Sequence, residues 1–334
     1  LLWRGEVVAI TGTNGKSTLT EFLAYALNEA GKDAFAVGNI GNAFSTVVLE
    51  REGGAPDSIA LCEVSSFQAE MLSHFRADAA IWTNFAEDHL ERHGSMSAYF
   101  LAKWRLFERT IGGQVLAGSS VARAAENYGQ SLPEGSVIET EDPAGDVLLR
   151  GTVFDDQPYL ENFLLAAAWW RVAGLREQAL YAAAQSFKLG SHRMSIVGLI
   201  DGVTWWDDSK ATNFHATEAA LIRFANPVVL IAGGKSKGGD VEGFVARIKS
   251  RVKHVLLIGE SRNILATLLG AAAVPHHVCE DLAEAIARAA EAAKPGDDVL
   301  LSPAFSSLDQ FSGYAERGET FTKLVQRRSP GERP

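Results

Sequence analysis

The chain has 334 residues, 47% of them apolar, with 41 acidic against 31 basic side chains and a formal net charge of −10. Its length is more than one hydrophobic core usually organises and predicts two domains, while the acidic balance argues against a nucleic-acid partner and still allows a locally positive site for a small anion. No apolar run approaches the ~18–20 residues of a membrane span and no signal peptide is recognisable, so a cytoplasmic protein with no membrane partner is expected.

The first element is an apolar run over Val7–Thr11, read as a buried strand, which enters "TGTNGKST" and then a helical pattern over Lys16–Glu29. Strand, glycine loop and helix in that order make a phosphate loop credible, because backbone N–H groups and the helix N-terminus attract anionic oxygens. Lys16 adds a cation and Ser17 a hydroxyl suited to Mg²⁺. The loop is a short G-T-N-G-K-S from Gly12 to Ser17, with Ile10 where the longer phosphate-loop pattern begins with glycine. Taken alone it indicates a nucleotide, and the bland alternative is a turn with an exposed lysine.

Further strands are expected at Ala34–Val37, Ile59–Val64 and Ala79–Thr83. Glu63 lies at the end of the third run, where an open α/β sheet presents its ligand edge, and reads as a Mg²⁺ ligand or a solvated strand-end acid. The fourth runs into "NFAEDHLERHG", a polar loop with Glu87, Asp88, His89 and His93. A helix over Ser97–Glu108 then carries Lys103 beside Trp104, Leu106 and Phe107. That lysine is either a snorkelling surface residue or a buried one that CO₂ has converted to an oxygen-rich carbamate able to bind Mg²⁺.

From Gly112 to Gln157 the sequence is Gly-rich, acidic and weakly periodic, and "VLLRGTVFDD" reads as short antiparallel strands. No chemistry is placed there. A helix follows over Glu161–Val172. A new unit begins near Leu189–His192 with a hairpin, "SIVGLIDGVTWWDDS", turning at Asp201-Gly202. Three strand-and-loop units follow, "PVVLIAGGKSKGGD", "HVLLIGES" and "DDVLLSPAFSS", and the polar tail "RRSPGERP" is expected to be disordered. Lys237, in a glycine-rich loop after a buried strand, is suited to meeting a carboxylate, unless the loop is simply flexible and basic. Cys62 and Cys279 sit in or beside apolar runs and read as buried thiols of a reducing compartment, with no metal-type Cys/His spacing.

Strands alternating with helices give an α/β fold with a mostly parallel sheet. The expected organisation is a central P-loop ATP-binding domain over 1–190 and a smaller Rossmann-like C-terminal domain over 191–334. In this order, "GTNGKST", "GNIG", "EVSSFQ", "NFAEDHLERH" and the lysine of "AKWRLFE" resemble the central ATPase domain of the Mur ligases. His192-Arg193, "DDSKATN", "SPAFSSLDQF" and "RGETF" resemble the C-terminal domain of that family, so the resemblance covers nearly the whole chain.

The resemblance implies an ATP-dependent, ADP-forming ligase of peptidoglycan precursor synthesis that joins D-glutamate to UDP-N-acetylmuramoyl-L-alanine through an acyl phosphate. It implies ATP phosphates on Gly15, Lys16, Ser17 and Thr18, and Mg²⁺ on Ser17 and Glu63. It implies a second Mg²⁺ on His89 and carbamylated Lys103. Asn162 would face the adenine, Arg193 the γ-phosphate and Asp208 the ribose, while Asn39 would contact the muramoyl substrate. Thr212, Lys237, Ser307 and Leu308 would hold D-glutamate. Lys16, His89, Lys103 and Arg193 form the implied catalytic set, and a monomer is expected.

Three departures stand beside the resemblance. Ser195 replaces the acid usual two places after His-Arg, and Pro158-Tyr159 replaces the usual His-Asn before Asn162. The family's uridine-binding N-terminal domain has no counterpart, and the chain, lacking an initiating Met, reads as though cut upstream. The competing readings are a folylpolyglutamate synthase-like ligase, a nucleotide-binding fragment that does not catalyse, and a P-loop kinase; the last is disfavoured by the amino-acid-binding motifs.

Overall fold

The computed structural model describes residues 2–139 and 146–328, in two units, one of Leu1–Ala86 with His93–Leu189 and one of Glu87–Arg92 with Gly190–Pro334. In the first, strands β1 (Glu6–Thr11), β2 (Ala34–Gly38), β3 (Ile59–Glu63), β4 (Ala77–Trp82), β5 (Thr110–Gly118) and β6 (Val137–Ile138) form one sheet. Its order is β2-β3-β1-β4-β5-β6 and every pairing is parallel. The connections carry helices α1 (Lys16–Glu29), α2 (Phe44–Glu50), α3 (Ser66–Glu70), α5 (Met96–Glu108), α6 (Ser119–Asn127), α7 (Tyr159–Val172) and α8 (Glu177–Ser186), while the short α4 (Leu90–His93) lies almost wholly in the segment that belongs to the second unit.

Residues 7–10 of β1 are all apolar because both faces of the sheet are covered. Val8 and Ile10 enter one core with Phe22 of α1 and Phe163 of α7, while Val7 and Ala9 enter the other with Trp82, Phe100 and Trp104. Phe22 is fully buried against Phe154 and Phe187, with ring centroids 4.3 and 5.2 Å away. Removing such a side chain from water contributes ~2–3 kcal/mol.

The stretch from Gly112 to Gln157 departs from its sequence reading. β5 is a fifth parallel strand, followed by α6 and β6. Its opening is masked in sequence by Gly112 and Gly113, both at positive φ, and only its second half, at Val115 and Ala117, reaches the core. Val147–Leu149, expected in an antiparallel strand, forms a 3₁₀ turn instead. The Asp146 carboxylate accepts the Leu148 N–H at 2.9 Å, and Leu149 and Phe154 are drawn into the core around α1. The tail from 329 onward lies outside the described residues.

In the second unit, strands β7 (Ser195–Ile200), β8 (Val203–Asp207), β9 (Val228–Gly233), β10 (Val252–Ile258), β11 (His276–Val278) and β12 (Asp298–Leu301) form a sheet in the order β11-β10-β9-β12-β8-β7. Only the β7–β8 hairpin is antiparallel. Its turn places Asp201 and Gly202 at φ 52° and 76°, as the Asp-Gly pair predicts. The sheet is covered by α9 (Phe214–Ile222), α10 (Val241–Ile248), α11 (Arg262–Ala271), α12 (Leu282–Ala292) and α13 (Tyr314–Gln326). β9, β12 and β8 are neighbours, so the loops leaving their C-terminal ends lie side by side although their sequences are far apart.

No helix among the described residues is long and apolar enough to cross a membrane. Both cysteines are free and buried, and burial pushes the thiols of Cys62 and Cys279 up to about 12 and about 11, which leaves them unreactive.

Candidate active site

The phosphate loop is the turn between β1 and α1. Gly15 caps α1 in the left-handed conformation at φ 79°, and no side chain caps the helix or adds an acid to its first turn. The helix therefore presents its N-terminal dipole to solvent, the arrangement that attracts phosphate. Neighbouring elements fix the loop. Thr83 Oγ1 donates to Asn14 O at 2.6 Å, Asn84 Oδ1 accepts from Asn14 N at 2.9 Å, and Thr13 N donates to Asn84 O at 2.9 Å. A Cβ on Gly12 would lie 1.9 Å from Thr83 Oγ1, and one on Gly15 would lie 2.6 Å from Asn162 Oδ1. Glycine at both positions follows from this close approach as well as from backbone angle.

Lys16 Nζ folds back on its own loop, donating to Gly12 O at 2.9 Å and Thr13 O at 2.8 Å. Ser17 and Thr18 follow it into the buried face of α1, and Thr18 Oγ1 has no hydrogen-bond partner among the described residues. Asn162 is buried with its amide against the loop, Nδ2 lying 3.4 Å from Gly15 O. The residue expected at the adenine thus buttresses the phosphate loop.

The register of the sheet sets Glu63 between Ile10 of β1 and Gly38 of β2. Glu63 is buried; Oε1 accepts from Nδ2 of exposed Asn39 at 3.0 Å, and Oε2 has no hydrogen-bond partner among the described residues. A buried, unsatisfied carboxylate oxygen beside a phosphate cradle fits a hard cation. Among the described residues no three His, Cys, Asp or Glu side chains gather into a metal cluster.

Lys103 is fully buried, which overturns the snorkelling alternative. Its Nζ donates to Gly12 O at 2.7 Å and Thr11 Oγ1 at 3.3 Å and lies 5.1 Å from the centre of the Tyr99 ring. The packing of α5 beside β4, through Phe100 and Trp104, carries the lysine inward.

In the second unit Arg193 stands between two strained residues, His192 at φ 64° and Met194 at φ 47°, and its Nη2 is buried without a hydrogen-bond partner among the described residues. His192 Nδ1 lies 2.6 Å from Asp207 Oδ2, which fixes the ring. Ser195 lies opposite Asp207 in the hairpin. Asp208 is buried; its Oδ2 accepts from Ser302 Oγ at 2.8 Å and its Oδ1 from Met194 N at 3.3 Å. Burial pushes its carboxyl up to about 7, against the pull of the Ser302 and Met194 bonds.

The loops after β8, β9 and β12 meet at a pocket lined in part by Asp88, Thr212, Asn213, Phe214, Lys237 and Phe305. Lys237 Nζ donates to Thr212 Oγ1 at 3.3 Å and to Asp88 Oδ1 at 3.0 Å. Asn213 Nδ2 donates to Asp88 Oδ2 at 3.2 Å. Burial works to raise the Asp88 carboxyl, but Lys237 and His89 outweigh it and hold it below the usual carboxylate value. His89, at φ 54°, sits beside this carboxylate, with Nε2 3.6 Å from Asp88 Oδ2, and burial lowers its imidazole. Ser307 is buried two residues beyond Phe305, whereas the Leu308 side chain is exposed.

Two contributors carry no role in the sequence reading. Asp88 is hidden among the acids of "AEDHLE", and only the fold pairs it with Lys237. Arg317 of "RGETF" is fully buried in α13 and donates to Ser209 O at 2.8 Å, Ser209 Oγ at 3.0 Å and Phe305 O at 3.2 Å. It thereby ties the loop carrying Thr212 to the loop carrying Ser307. An arginine in an amphipathic helix gives no sign in sequence that it points inward.

A parallel sheet with a glycine cradle at its C-terminal edge, followed by a second doubly wound sheet with a lysine-lined pocket, defines a phosphate-loop protein of the α/β class. Residues 10–133 match the Mur ligase middle domain and residues 192–305 the Mur ligase glutamate ligase domain. A UDP-N-acetylmuramoylalanine-D-glutamate ligase of Desulfitobacterium hafniense (strain Y51) is 35% identical over 347 residues, covering 96% of this chain and 75% of that protein. One of Geobacter sp. (strain M21) is 36% identical, covering 98% and 76%. The chain belongs to the Mur ligase family. The fold is also that of MurF from Thermotoga maritima in complex with ADP, with TM-score 0.70, 18% identity and coverage of 98% and 82%. FolC of E. coli in complex with ADP has TM-score 0.65, 21% identity and coverage of 98% and 91%.

Proposed function

We propose that this chain carries the ATP-binding and amino-acid-binding parts of a ligase that joins D-glutamate to UDP-N-acetylmuramoyl-L-alanine, forming ADP and phosphate. The observation that carries the reading is the Lys237–Thr212 pair in a pocket of the glutamate ligase domain, in a chain whose relatives bear that activity in their names. The substrate carboxylate attacks the γ-phosphate of ATP to give an acyl phosphate and ADP. The amine of D-glutamate then adds to the acyl carbon, and loss of phosphate leaves the amide.

Gly15, Lys16, Ser17 and Thr18 would cradle the phosphates, with Lys16 exchanging its loop carbonyls for phosphate oxygens. Ser17 and Glu63 would hold Mg²⁺, to which the orphaned Glu63 Oε2 is suited. Lys103, once carbamylated, would offer its oxygens to a second ion. When bound, Mg²⁺ supplies positive charge against the phosphoryl oxygens. Arg193, whose buried Nη2 has no hydrogen-bond partner among the described residues, would add the same sign of charge. Asn162 would face the adenine beside the loop, Asp208 the ribose, Asn39 the muramoyl substrate, and Ser307 and Leu308 the amino acid.

Phosphate release with Mg-ATP, UDP-N-acetylmuramoyl-L-alanine and D-glutamate tests the reading. Release that needs all three substrates is expected. Release driven by a folate and L-glutamate instead would replace it with the folylpolyglutamate synthase alternative.

A further inference from the structure

The Lys237 bay is filled by the protein itself. The Asp88 carboxylate accepts from Lys237 Nζ at 3.0 Å, from Asn213 Nδ2 at 3.2 Å and from His89 N at 3.0 Å, and its side chain is only 7% exposed. Lys237 Nζ also reaches Thr212 Oγ1. We propose that Asp88 sets the affinity of the amino-acid pocket: its carboxylate stands where the incoming amino acid's carboxylate will stand, so that binding exchanges one carboxylate for another on Lys237. This rests on the reading that Thr212 and Lys237 receive the amino acid.

Three features carry the exchange. First, Lys237 is half-buried beside Phe214 and Phe305, and an ammonium in such surroundings needs a counter-charge when no ligand supplies one. Second, a ligand carboxylate arriving with Asp88 still in place would set two anions against each other on one ammonium, and their repulsion is strong where water is scarce. One must yield. Third, the segment bearing Asp88 is held by other bonds: Glu91 N donates to Lys237 O at 3.2 Å and Asp240 N donates to Glu87 Oε2 at 3.0 Å. The Asp88 side chain can therefore swing off Lys237 without its backbone leaving the pocket wall.

The exchange makes Asp88 a competitor whose removal strengthens amino-acid binding, whereas a purely structural ion pair would weaken it when broken. Calorimetric titration of D-glutamate into the protein loaded with Mg²⁺ and a non-hydrolysable ATP analogue distinguishes the two. Asp88→Asn and Asp88→Ala should each bind D-glutamate more tightly, by ~10-fold or more for the loss of one competing charge-assisted bond, with affinity for the ATP analogue unchanged. Lys237→Ala should weaken D-glutamate binding by ~10-fold or more in either background. If the wild type binds D-glutamate through Lys237 but both Asp88 variants, folded by their melting profiles, bind it equally or more weakly, the exchange is wrong and the pocket assignment stands. If Lys237→Ala binds D-glutamate as well as the wild type does, the pocket assignment fails and the exchange with it.

Discussion

The ammonium groups of Lys16 and Lys103 donate to one backbone oxygen, that of Gly12, at 2.9 and 2.7 Å. One lysine begins α1 and the other comes from α5, so a local loop and a distant helix converge on the first residue of the phosphate loop. Two cations on one neutral acceptor repel each other, and both are better placed once anionic oxygens arrive. Phosphate answers the need for Lys16. Conversion of Lys103 to a carbamate answers it for the other, since Nζ keeps one N–H for Gly12 O while its charge reverses.

Lys103 should accordingly carry the mass of one CO₂ when the intact protein is measured under bicarbonate. Lys103→Arg should lower phosphate release by about 10²-fold or more, because arginine fixes the positive charge that the carbamate would remove. An unmodified Lys103 with full activity in Lys103→Arg would overturn the second-ion assignment.

Lys16→Ala should leave the melting temperature within a few degrees, since α1 is held by Leu19, Phe22, Leu23 and Leu27 in the core. The same variant should lower turnover by about 10²-fold or more, the loss typical of one donor directed at developing charge. Near-normal turnover in the folded variant would remove the phosphate loop from the reaction.

Lys237→Ala should raise the KM for D-glutamate by ~10-fold or more, as expected when one charge-assisted bond is lost, and leave the KM for ATP nearly unchanged. Steady-state kinetics with each substrate varied in turn checks this. Equal effects on both substrates would indicate a disturbed fold instead.

Glu161 predicts a pH dependence of stability. Burial pushes its carboxyl up to about 7, against the pull of the Asn84 hydrogen bond and the Arg123 charge. The folded state then holds a proton that the unfolded state has released between about 4.5 and about 7. Stability contributed by the protonated form is complete at the acid end of this window and is lost as pH rises through it. The span corresponds to ~3 kcal/mol at most. Glu161→Gln should flatten that decline in denaturant midpoints measured from pH 5 to pH 8; an unchanged slope would show that Glu161 ionises normally.

Much of the architecture is legible locally. β1, β3 and β9 are built on continuous apolar runs, at 7–10, 59–62 and 228–232, because both faces of each sheet are covered, and the Asp201-Gly202 turn follows from two positive φ angles in succession. The turn at Gly12–Ser17 is equally local: its glycines and lysine are contiguous, and the strand and helix that bracket them have distinct periods. Where glycine interrupts the pattern, as at Gly112 and Gly113, β5 is lost to a sequence reader because its apolar half is short.

What the sequence by itself determined is therefore the alternation of strands and helices and the phosphate loop, since both depend on neighbours a few residues apart. Only the tertiary structure decided that Lys103 turns inward to Gly12, that Glu63 keeps an unsatisfied oxygen, and that Asp88 meets Lys237 across 149 residues of chain. Each of these depends on strand order and on which side chains exclude water around a charge. Burial turns an ordinary lysine or aspartate into a group that must find a partner, and burial is a property of the assembled sheet and helices rather than of any short stretch of chain.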